Sequence, residues 1–289
     1  MSKKPLYAGV ALLLLGAGYY LYSAFFFIPL YEQIRPVEPP YTASLKADAQ
    51  WIALFNGENL DGWTTKITGY EAGDNYADTY RVEDGVISVN YDRYTEFDNT
   101  FGNLFYDTPY SYYVLRLEYR FLGEQATDSP TMFWAWRNSG VMVHSQSPAS
   151  MSLKQYFPAS IEVQLLGARE DEHRSTGNVC TPATNLVWFG SEEVYTTHCT
   201  NSLSNSFAGD RWVQLEVEVW GSEMIRHFVD GELVLEYTRP QLDPTDVDAK
   251  ALLQGLDAGQ LLLDSGYIAL QSESHPVQFR NIMLHPIQP

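Results

Sequence analysis

The sequence predicts an all-β fold, a two-sheet antiparallel sandwich of jelly-roll type. Beyond Trp51, apolar and polar residues alternate in short stretches, which is the pattern of strands with one buried face. The pairs Asp84-Gly85 and Asp230-Gly231 interrupt such stretches, as they do in tight hairpins. Aromatic residues make up 14% of the 289 residues, and aromatic side chains favour strands. Many short strands joined by tight turns are typical of a sandwich.

The strand pattern recurs along the whole domain. Predicted strands and hairpins cover residues 81–89, 114–121, 140–144, 161–166, 212–220, 225–237, 267–271 and 277–284. We expect hairpins at 81–89 and 225–237, and we expect the last two strands to pair with each other. One helix is expected over residues 244–253, because Asp243 is a good N-cap and Pro244 fits the first helical position.

A hydrophobic segment precedes this domain. Residues 6–28 contain no charged side chain, and as a helix they would extend about 35 Å, enough to cross a bilayer. The sequence therefore predicts a signal anchor at 1–30, a Pro-containing linker at 31–49 and a β-sandwich domain at 50–287.

The residues before the hydrophobic segment predict its orientation. Lys3 and Lys4 should keep the N-terminus in the cytoplasm, so the domain would be exported. We expect a single-pass protein of a bacterial inner membrane with its C-terminal domain in the periplasm. The alternative is a cleaved signal peptide and a secreted domain.

The charge balance excludes some partners. The formal net charge is −18 and the sequence pI about 4.6. Nucleic acid and anionic lipid surfaces need Lys and Arg partners, so neither is an expected ligand. The simplest explanation of the acidity is solubility. No Asp-x-Asp-x-Asp-Gly calcium loop is present in the sequence.

The two cysteines, Cys180 and Cys199, are expected to form a disulfide if the domain is exported. Such a bond would close a loop of about 20 residues and contribute about 3 kcal/mol in the chain-entropy model. The segment between them is typical of a loop or loose hairpin. Metal binding by this pair with His198 is the alternative, but the Cys-x-x-Cys spacing of such sites is missing.

Polar residues at outward strand positions predict a binding groove. We expect four strands to share one concave face, and their polar residues are Glu118 and Arg120, Asn138 and His144, Glu162 and Gln164, and Gln271 leading into Glu273. Trp134 and Trp136 would lie on one face if residues 132–136 were extended, and could form walls of sugar subsites.

The groove residues suggest a division of roles. Glu162 or His144 is the candidate general base, while Asn138, Gln164 and Arg120 are candidate hydrogen-bond donors. Each residue also has a structural interpretation. Glu118 could form a cross-strand ion pair with an arginine, and the histidine, the tryptophans and Glu162 could serve packing alone.

The strand around Glu162 is similar to that of jelly-roll glucanases, which carry Glu-x-Asp-x-x-Glu on one strand. Gln164 and Gly167 replace the second and third acids of that motif. A retaining glycosidase needs two carboxyl groups close together, and this strand supplies one. A standard glycosidase is therefore disfavoured.

Short motifs in a fixed order give a family resemblance. They are Leu-Phe-Asn-Gly-Glu-Asn-Leu-Asp-Gly-Trp at 54–63, Val-Glu-Asp-Gly-Val-Ile at 82–87, Leu-Glu-Tyr-Arg at 117–120, Asn-Ser-Gly-Val at 138–141, Ile-Glu-Val-Gln-Leu at 161–165, Gly-Tyr-Ile-Ala-Leu-Gln at 266–271 and Phe-Arg-Asn-Ile at 279–282. Together they resemble the 3-keto-disaccharide hydrolase family, also called DUF1080, over about residues 51–284.

The resemblance implies a concanavalin A-like lectin/glucanase fold and action on glycosides oxidised to a ketone at C3. A C3 ketone acidifies the C2 proton, so one base such as Glu162 or His144 could start an elimination of the C1 oxygen. A divalent metal could assist as an electrophile. Two other functions fit the same residues: a membrane-tethered, non-catalytic carbohydrate-binding module, and a structural β-sandwich without a sugar ligand.

Overall fold

The structure is a computed structural model that describes residues 41–44, 49–255 and 259–288. The predicted membrane anchor and most of the linker lie outside these residues. Across the described part of the chain, no helix is both long enough and apolar enough to cross a bilayer.

The domain consists of two antiparallel sheets packed face to face. Ten strands form sheet one: β1 (Ile52–Ala53), β3 (Tyr80–Glu83), β4 (Val86–Val89), β6 (Tyr112–Phe121), β10 (Thr184–Trp188), β11 (Val194–Tyr195), β13 (Val213–Trp220), β14 (Met224–Val229), β15 (Glu232–Leu242) and β17 (Val277–Pro286). Their order is β11-β10-β15-β14-β13-β6-β17-β4-β3, with β1 paired to β17. The all-β two-sheet sandwich predicted from the sequence is confirmed.

Sheet two positions the candidate site. Its strands are β2 (Trp63–Ile67), β5 (Gly102–Tyr106), β7 (Asn138–Ser145), β8 (Ile161–Leu166), β9 (Asn178–Cys180), β12 (Cys199–Thr200) and β16 (Tyr267–Ser272). They run in the order β12-β9-β8-β7-β16-β5-β2, so β7 and β8 are central. The inner face packs on sheet one, and the outer face is available for polar groups.

The hydrophobic core fills the space between the sheets. Leu115 and Leu117 of β6 and Val163 and Leu165 of β8 belong to one cluster and are fully buried. Because alternate residues of a strand face opposite sides, Glu162 and Gln164 must point out of this core. Burial of each aliphatic side chain stabilises the fold by about 1.5–3 kcal/mol.

Both predicted hairpins are present, and their turns have the expected backbone. Asp84 and Gly85 have φ of 50° and 77°, and Asp230 and Gly231 have 47° and 85°. Two successive positive φ values define the turn that matches strand twist, which asparagine, aspartate and glycine adopt most readily. These turns join β3 to β4 and β14 to β15.

Two expectations about strand pairing are wrong. The last two strands do not pair, because β16 lies in sheet two and β17 in sheet one. Glu118 and Arg120 are on β6 of sheet one and so do not share a face with Glu162. Period-two alternation gives the face of a residue but not the sheet that contains its strand. Glu118 instead accepts a hydrogen bond from Arg280, and Arg120 donates to Gln278.

The predicted helix forms but begins later than expected. Helix α1 is Val247–Leu253, and its N-cap is Asp246, which accepts hydrogen bonds from the backbone N–H groups of Asp248 and Ala249. Asp243, the expected cap, instead binds the N–H and hydroxyl of Thr245 in the preceding turn.

The predicted disulfide between Cys180 and Cys199 is confirmed. It joins β9 to β12 at one edge of sheet two, where the two cysteines are also cross-strand partners. Between them the chain crosses to sheet one and forms the hairpin of β10 and β11. Both sulfurs are bonded to each other, so the alternative of a metal site with His198 is wrong.

Replacement of both cysteines by serine should lower the free energy of unfolding by about 3 kcal/mol, because the unfolded chain regains the entropy of the open loop. Urea denaturation at neutral pH measures this change. A reductant should destabilise the natural chain to a similar extent and leave the double variant unaffected, since the chain has no other cysteine. Equal unfolding midpoints for the two proteins would contradict the prediction.

Candidate active site

A cavity of about 640 Å³ opens on the outer face of sheet two. Its floor is formed by β7 and β8, and one wall contains the Cys180–Cys199 disulfide. Six of the groove residues predicted from the sequence line it: Trp134, Trp136, Asn138, Glu162, Gln164 and Glu273.

Glu162 lies on the floor of the cavity. On the neighbouring strands its partners are Met142 and Cys180. Its side chain lies across Gly140, where a Cβ atom would come within 2.7 Å of Glu162 Oε1. The missing side chain at Gly140 therefore provides the space for the carboxyl group. Burial raises the pKa of Glu162 from 4.5 to about 8.

Glu273 supplies a second carboxyl group to the same cavity, directly after β16. The next residue, Ser274, has a φ of 79°, a conformation that favours glycine. This bend is held by hydrogen bonds from the Ser274 N–H to the Tyr91 hydroxyl and from the Ala126 N–H to the Ser274 carbonyl. Glu273 is thereby fixed at a strand end, with a side chain that is almost fully buried.

The two carboxyl groups influence each other's protonation. Burial raises the pKa of Glu273 well above its ordinary value, and the negative charge of Glu162 raises it further, while Arg174 acts in the opposite direction. Like charges in a poorly solvated site cannot both ionise at low cost. At neutral pH the pair therefore retains a proton. The Oε2 atom of Glu273 has no hydrogen-bond partner within the described residues.

Gln164 is oriented by a chain of hydrogen bonds. Its Oε1 accepts a bond of 3.1 Å from Asn178 Nδ2. The side-chain oxygen of Asn178 in turn accepts from Ser175 Oγ and the Ser202 N–H. Since this network occupies the oxygen of Gln164, its amide N–H groups remain as donors toward the cavity.

Asn138 begins β7 at the cavity wall and is 3% exposed. Its Nδ2 donates a long bond of 3.4 Å to the Trp134 carbonyl, whereas its Oδ1 has no partner among the described residues. A buried amide oxygen without a partner is costly unless a ligand or water meets it. Asn138 is thus suited to accept a hydrogen bond from a ligand hydroxyl.

Trp134 and Trp136 form the opposite wall, although the expectation of an extended segment there is wrong. Residues Pro130–Ala135 form a 3₁₀ helix, so the two rings are not related as on a strand. Arg174 fixes the segment by donating to the carbonyls of Trp136 and Trp134 at 2.6 and 3.1 Å. Trp134 remains 40% exposed at the cavity mouth.

His144 does not face the cavity, because a bulge changes its direction. Opposite Ile268 of β16, strand β7 contains two residues, and His144 has a φ of 50°. Its Nε2 lies 2.9 Å from the carbonyl of Gly221, in a turn of sheet one. Burial lowers the pKa of His144. The structure therefore separates this candidate base from Glu162.

Gln271 shares the outer face of sheet two but does not line the cavity. It is fully buried and pairs with Asn103 of β5. Glu118 and Arg120, on sheet one, are also remote from this face. Glu273, to which the outward alternation was expected to lead from Gln271, does line the cavity. Arg174 was not among the predicted site residues.

A metal site is not formed by the groups described here. Over residues 49–255 and 259–288, no three side chains of His, Cys, Asp or Glu gather in an arrangement that could hold a metal ion. The cavity offers two carboxyl groups, and the cysteines on its wall are bonded to each other.

Comparison with known families gives one match to nearly the whole domain. A sequence profile of the 3-keto-alpha-glucoside-1,2-lyase-like domain matches residues 50–285. No curated protein matches the chain.

Solved structures show low sequence identity to the chain. A provisionally assigned glycosyl hydrolase from Parabacteroides distasonis is 19% identical, with 82% of this chain and 94% of that chain covered and a TM-score of 0.47. A carbohydrate-binding module from Bacillus subtilis is 11% identical, with 78% and 95% covered and a TM-score of 0.41. A β-glucanase from Bacillus licheniformis is 12% identical, with 84% and 100% covered and a TM-score of 0.44.

The raised pKa of Glu162 should make stability depend on pH. From pH 4.5 to about 8 the native state keeps a proton that the unfolded state has released, so the free energy of unfolding falls as pH rises. Glu162→Gln has no carboxyl group at this position, so the variant should not show this fall in the free energy of unfolding. The variant should gain stability relative to the natural chain by up to about 1.4 kcal/mol per pH unit across this window.

Urea denaturation at several pH values measures this difference in the free energy of unfolding. Titrating histidines affect both proteins equally, so their contribution cancels in the difference. Glu124→Gln, which replaces an exposed carboxylate, is the matched control. If the difference in the free energy of unfolding between Glu162→Gln and the natural chain stayed constant over the window, ionisation of Glu162 would not destabilise the fold and the prediction would be wrong.

Proposed function

Because the chain belongs to the carbohydrate-active family of 3-keto-alpha-glucoside-1,2-lyase-like domains, we propose that it is an enzyme that cleaves glycosides oxidised to a ketone at C3. The observation that carries this proposal is the pair Glu162 and Glu273, two buried carboxyl groups that face one cavity and retain a proton at neutral pH.

The reaction needs one base and one acid. The base removes the proton on C2, and the electrons of the C2–H bond form an enolate with its charge on the C3 oxygen. The ketone then re-forms, the C1–O bond breaks, and a double bond forms between C1 and C2. The departing oxygen takes a proton from the acid. Addition of water across the new double bond gives net hydrolysis.

The protonation of the pair assigns the two roles. Burial raises the pKa of Glu273, and the charge of an ionised Glu162 raises it further, so Glu273 is suited to keep its proton while Glu162 is ionised. We therefore assign Glu162 as the base and Glu273 as the acid. The base is poised near neutral pH, where general catalysis is most efficient.

The amides complete the site. Gln164 can donate from Nε2 to the developing negative charge on the C3 oxygen, because Asn178 already occupies its oxygen. Asn138 Oδ1 can accept a bond from a sugar hydroxyl. The ring of Trp134 can pack on the apolar face of the sugar ring, whereas the Trp136 ring already lies under the guanidinium of Arg169, 4.2 Å from its centroid.

A non-catalytic carbohydrate-binding module remains a second candidate. It is favoured by aromatic exposure at the cavity mouth, where Phe133 is 78% and Trp134 40% exposed. Exposed rings rimmed by polar groups are typical of binding surfaces. Such a module would bind glycans without needing a proton on Glu273.

Glu162→Gln and Glu273→Gln should each lower kcat for a 3-keto-disaccharide by about 10²–10⁴-fold, because each removes one proton-transfer group. A coupled assay for the released sugar measures the rate, and Glu124→Gln should keep the natural rate.

Three outcomes separate the candidates. Unchanged turnover in Glu162→Gln would exclude this residue as the base. Cleavage of the unoxidised disaccharide at a similar rate would indicate a two-carboxyl glycosidase instead of an elimination. Binding of intact glycans without any product would indicate the binding module.

We also propose that the domain works outside the cytoplasm, tethered to the inner membrane by residues 1–30. The Cys180–Cys199 disulfide supports this, since such bonds persist in oxidising compartments. The protein should remain with the membrane fraction after alkaline extraction, and protease should digest the domain in spheroplasts but not in intact cells. Recovery of the protein in the soluble periplasmic fraction would instead indicate a cleaved signal peptide.

A further inference from the structure

A second cavity of about 640 Å³ lies beside the first. Phe157, Pro182 and His198 line both cavities, so the two are separated only by a shared rim. Pro182 and His198 lie next to the disulfide-bonded cysteines. The two spaces are therefore neighbouring compartments along one surface.

Aromatic rings connect the two compartments. The buried ring of Phe101 lies 6.2 Å from Trp134, which lines the first cavity, and 5.2 Å from Tyr156, which lines the second. It also lies 5.0 Å from Phe157, which lines both. Trp134 is 40% exposed and Tyr156 is 48% exposed, so each cavity has one exposed ring of this cluster. Such a ring can pack on the apolar face of a sugar unit.

The first cavity alone is large enough for a small substrate. Cavities of about 300–1,000 Å³ enclose most of a drug-sized ligand, and a disaccharide is of that size. A second compartment of equal volume is more space than a disaccharide needs. Because the two cavities share a rim, one molecule can extend from the first into the second.

The second cavity is acidic. It is lined by Asp243, Asp246 and Asp248, with Lys154 and His198 as the basic groups. The hydrogen bonds that the side-chain carboxylates of Asp243 and Asp246 accept from the described chain all end on Oδ1. Carboxylates accept hydrogen bonds from sugar hydroxyls but repel a uronate or sulfate group.

We propose that the two cavities form one substrate groove, and that the second binds the sugar units of a neutral oligosaccharide beyond the disaccharide held in the first. The position of the reacting ring, over Glu162, rests on the proposed function. The second cavity then acts as a distal subsite whose contacts favour longer substrates, with Tyr156 as a stacking platform.

A length series tests the distal subsite. The natural chain should turn over a 3-keto-trisaccharide with a kcat/KM about tenfold higher than that of the 3-keto-disaccharide, the effect of one good aromatic contact. Tyr156→Ala should remove this advantage and leave disaccharide turnover unchanged. Tyr156→Phe keeps the ring and should keep the advantage. Equal kcat/KM for both lengths, or an equal loss in Tyr156→Ala for both, would overturn the proposal.

A binding measurement separates this proposal from the proposed function. Calorimetry with unoxidised neutral oligosaccharides should show affinity that rises from disaccharide to trisaccharide and depends on Tyr156. If no 3-keto substrate is cleaved but this dependence is found, the proposed reaction fails and the groove stands. If the enzyme is active but length has no effect on rate or affinity, the reaction stands and the groove fails.

The charge of the subsite has its own test. A trisaccharide with a uronate at the distal position should bind about tenfold more weakly than the neutral trisaccharide, because it faces the carboxylates of the second cavity. Asp248→Asn, which preserves the shape of the side chain, should reduce this discrimination. Equal affinity for neutral and acidic trisaccharides would contradict the assignment to neutral glycans.

Discussion

The burial of two carboxyl groups in one cavity is the constraint on which the other features of the site depend. Glu162 and Glu273 repel each other as anions, and little water surrounds them to reduce that repulsion. The chain accommodates them through raised pKa values, the space left by the missing side chain at Gly140 and the positive charge of Arg174. An apolar pair of similar volume would stabilise the fold more. The arrangement is therefore better explained by reactivity than by folding.

Each carboxyl group is held by a different kind of backbone. Glu162 is on a strand that is hydrogen-bonded on both sides, so the sheet fixes its position. Glu273 follows a strand end, and its position depends on the bend at Ser274. The tryptophan wall lies on a short 3₁₀ helix and needs Arg174 to hold its carbonyls. The floor is thus held by the sheet and the wall by side-chain contacts, and groups on strands are held more precisely than groups on loops.

The sequence predicted what depends on local pattern and missed what depends on pairing. Asp-Gly turns and period-two alternation gave both hairpins and the outward face of Glu162. Neither pattern reports which sheet contains a strand, so Glu118 and Arg120 were placed on the wrong one. The bulge at His144 changes the direction of its side chain through one positive φ angle. No residue type at that point of the sequence indicates the bulge. Alternation from Gln271 led to Glu273, whereas Arg174 was missed because it lies in the loop between β8 and β9, where alternation gives no guide.

The excursion of the chain between Cys180 and Cys199 has a further consequence. It leaves sheet two after β9, forms a hairpin on sheet one and returns as β12, and the closing bond lies beside Glu162. Because that bond fixes both ends of the excursion, changes in the length or composition of the hairpin are insulated from the floor of the cavity. The rim can therefore diverge while β7, β8 and the two acids stay constant. Under the proposed function, selectivity and reactivity would be encoded in separable stretches of the gene, and this would favour adaptation to new glycans without loss of the proposed chemistry.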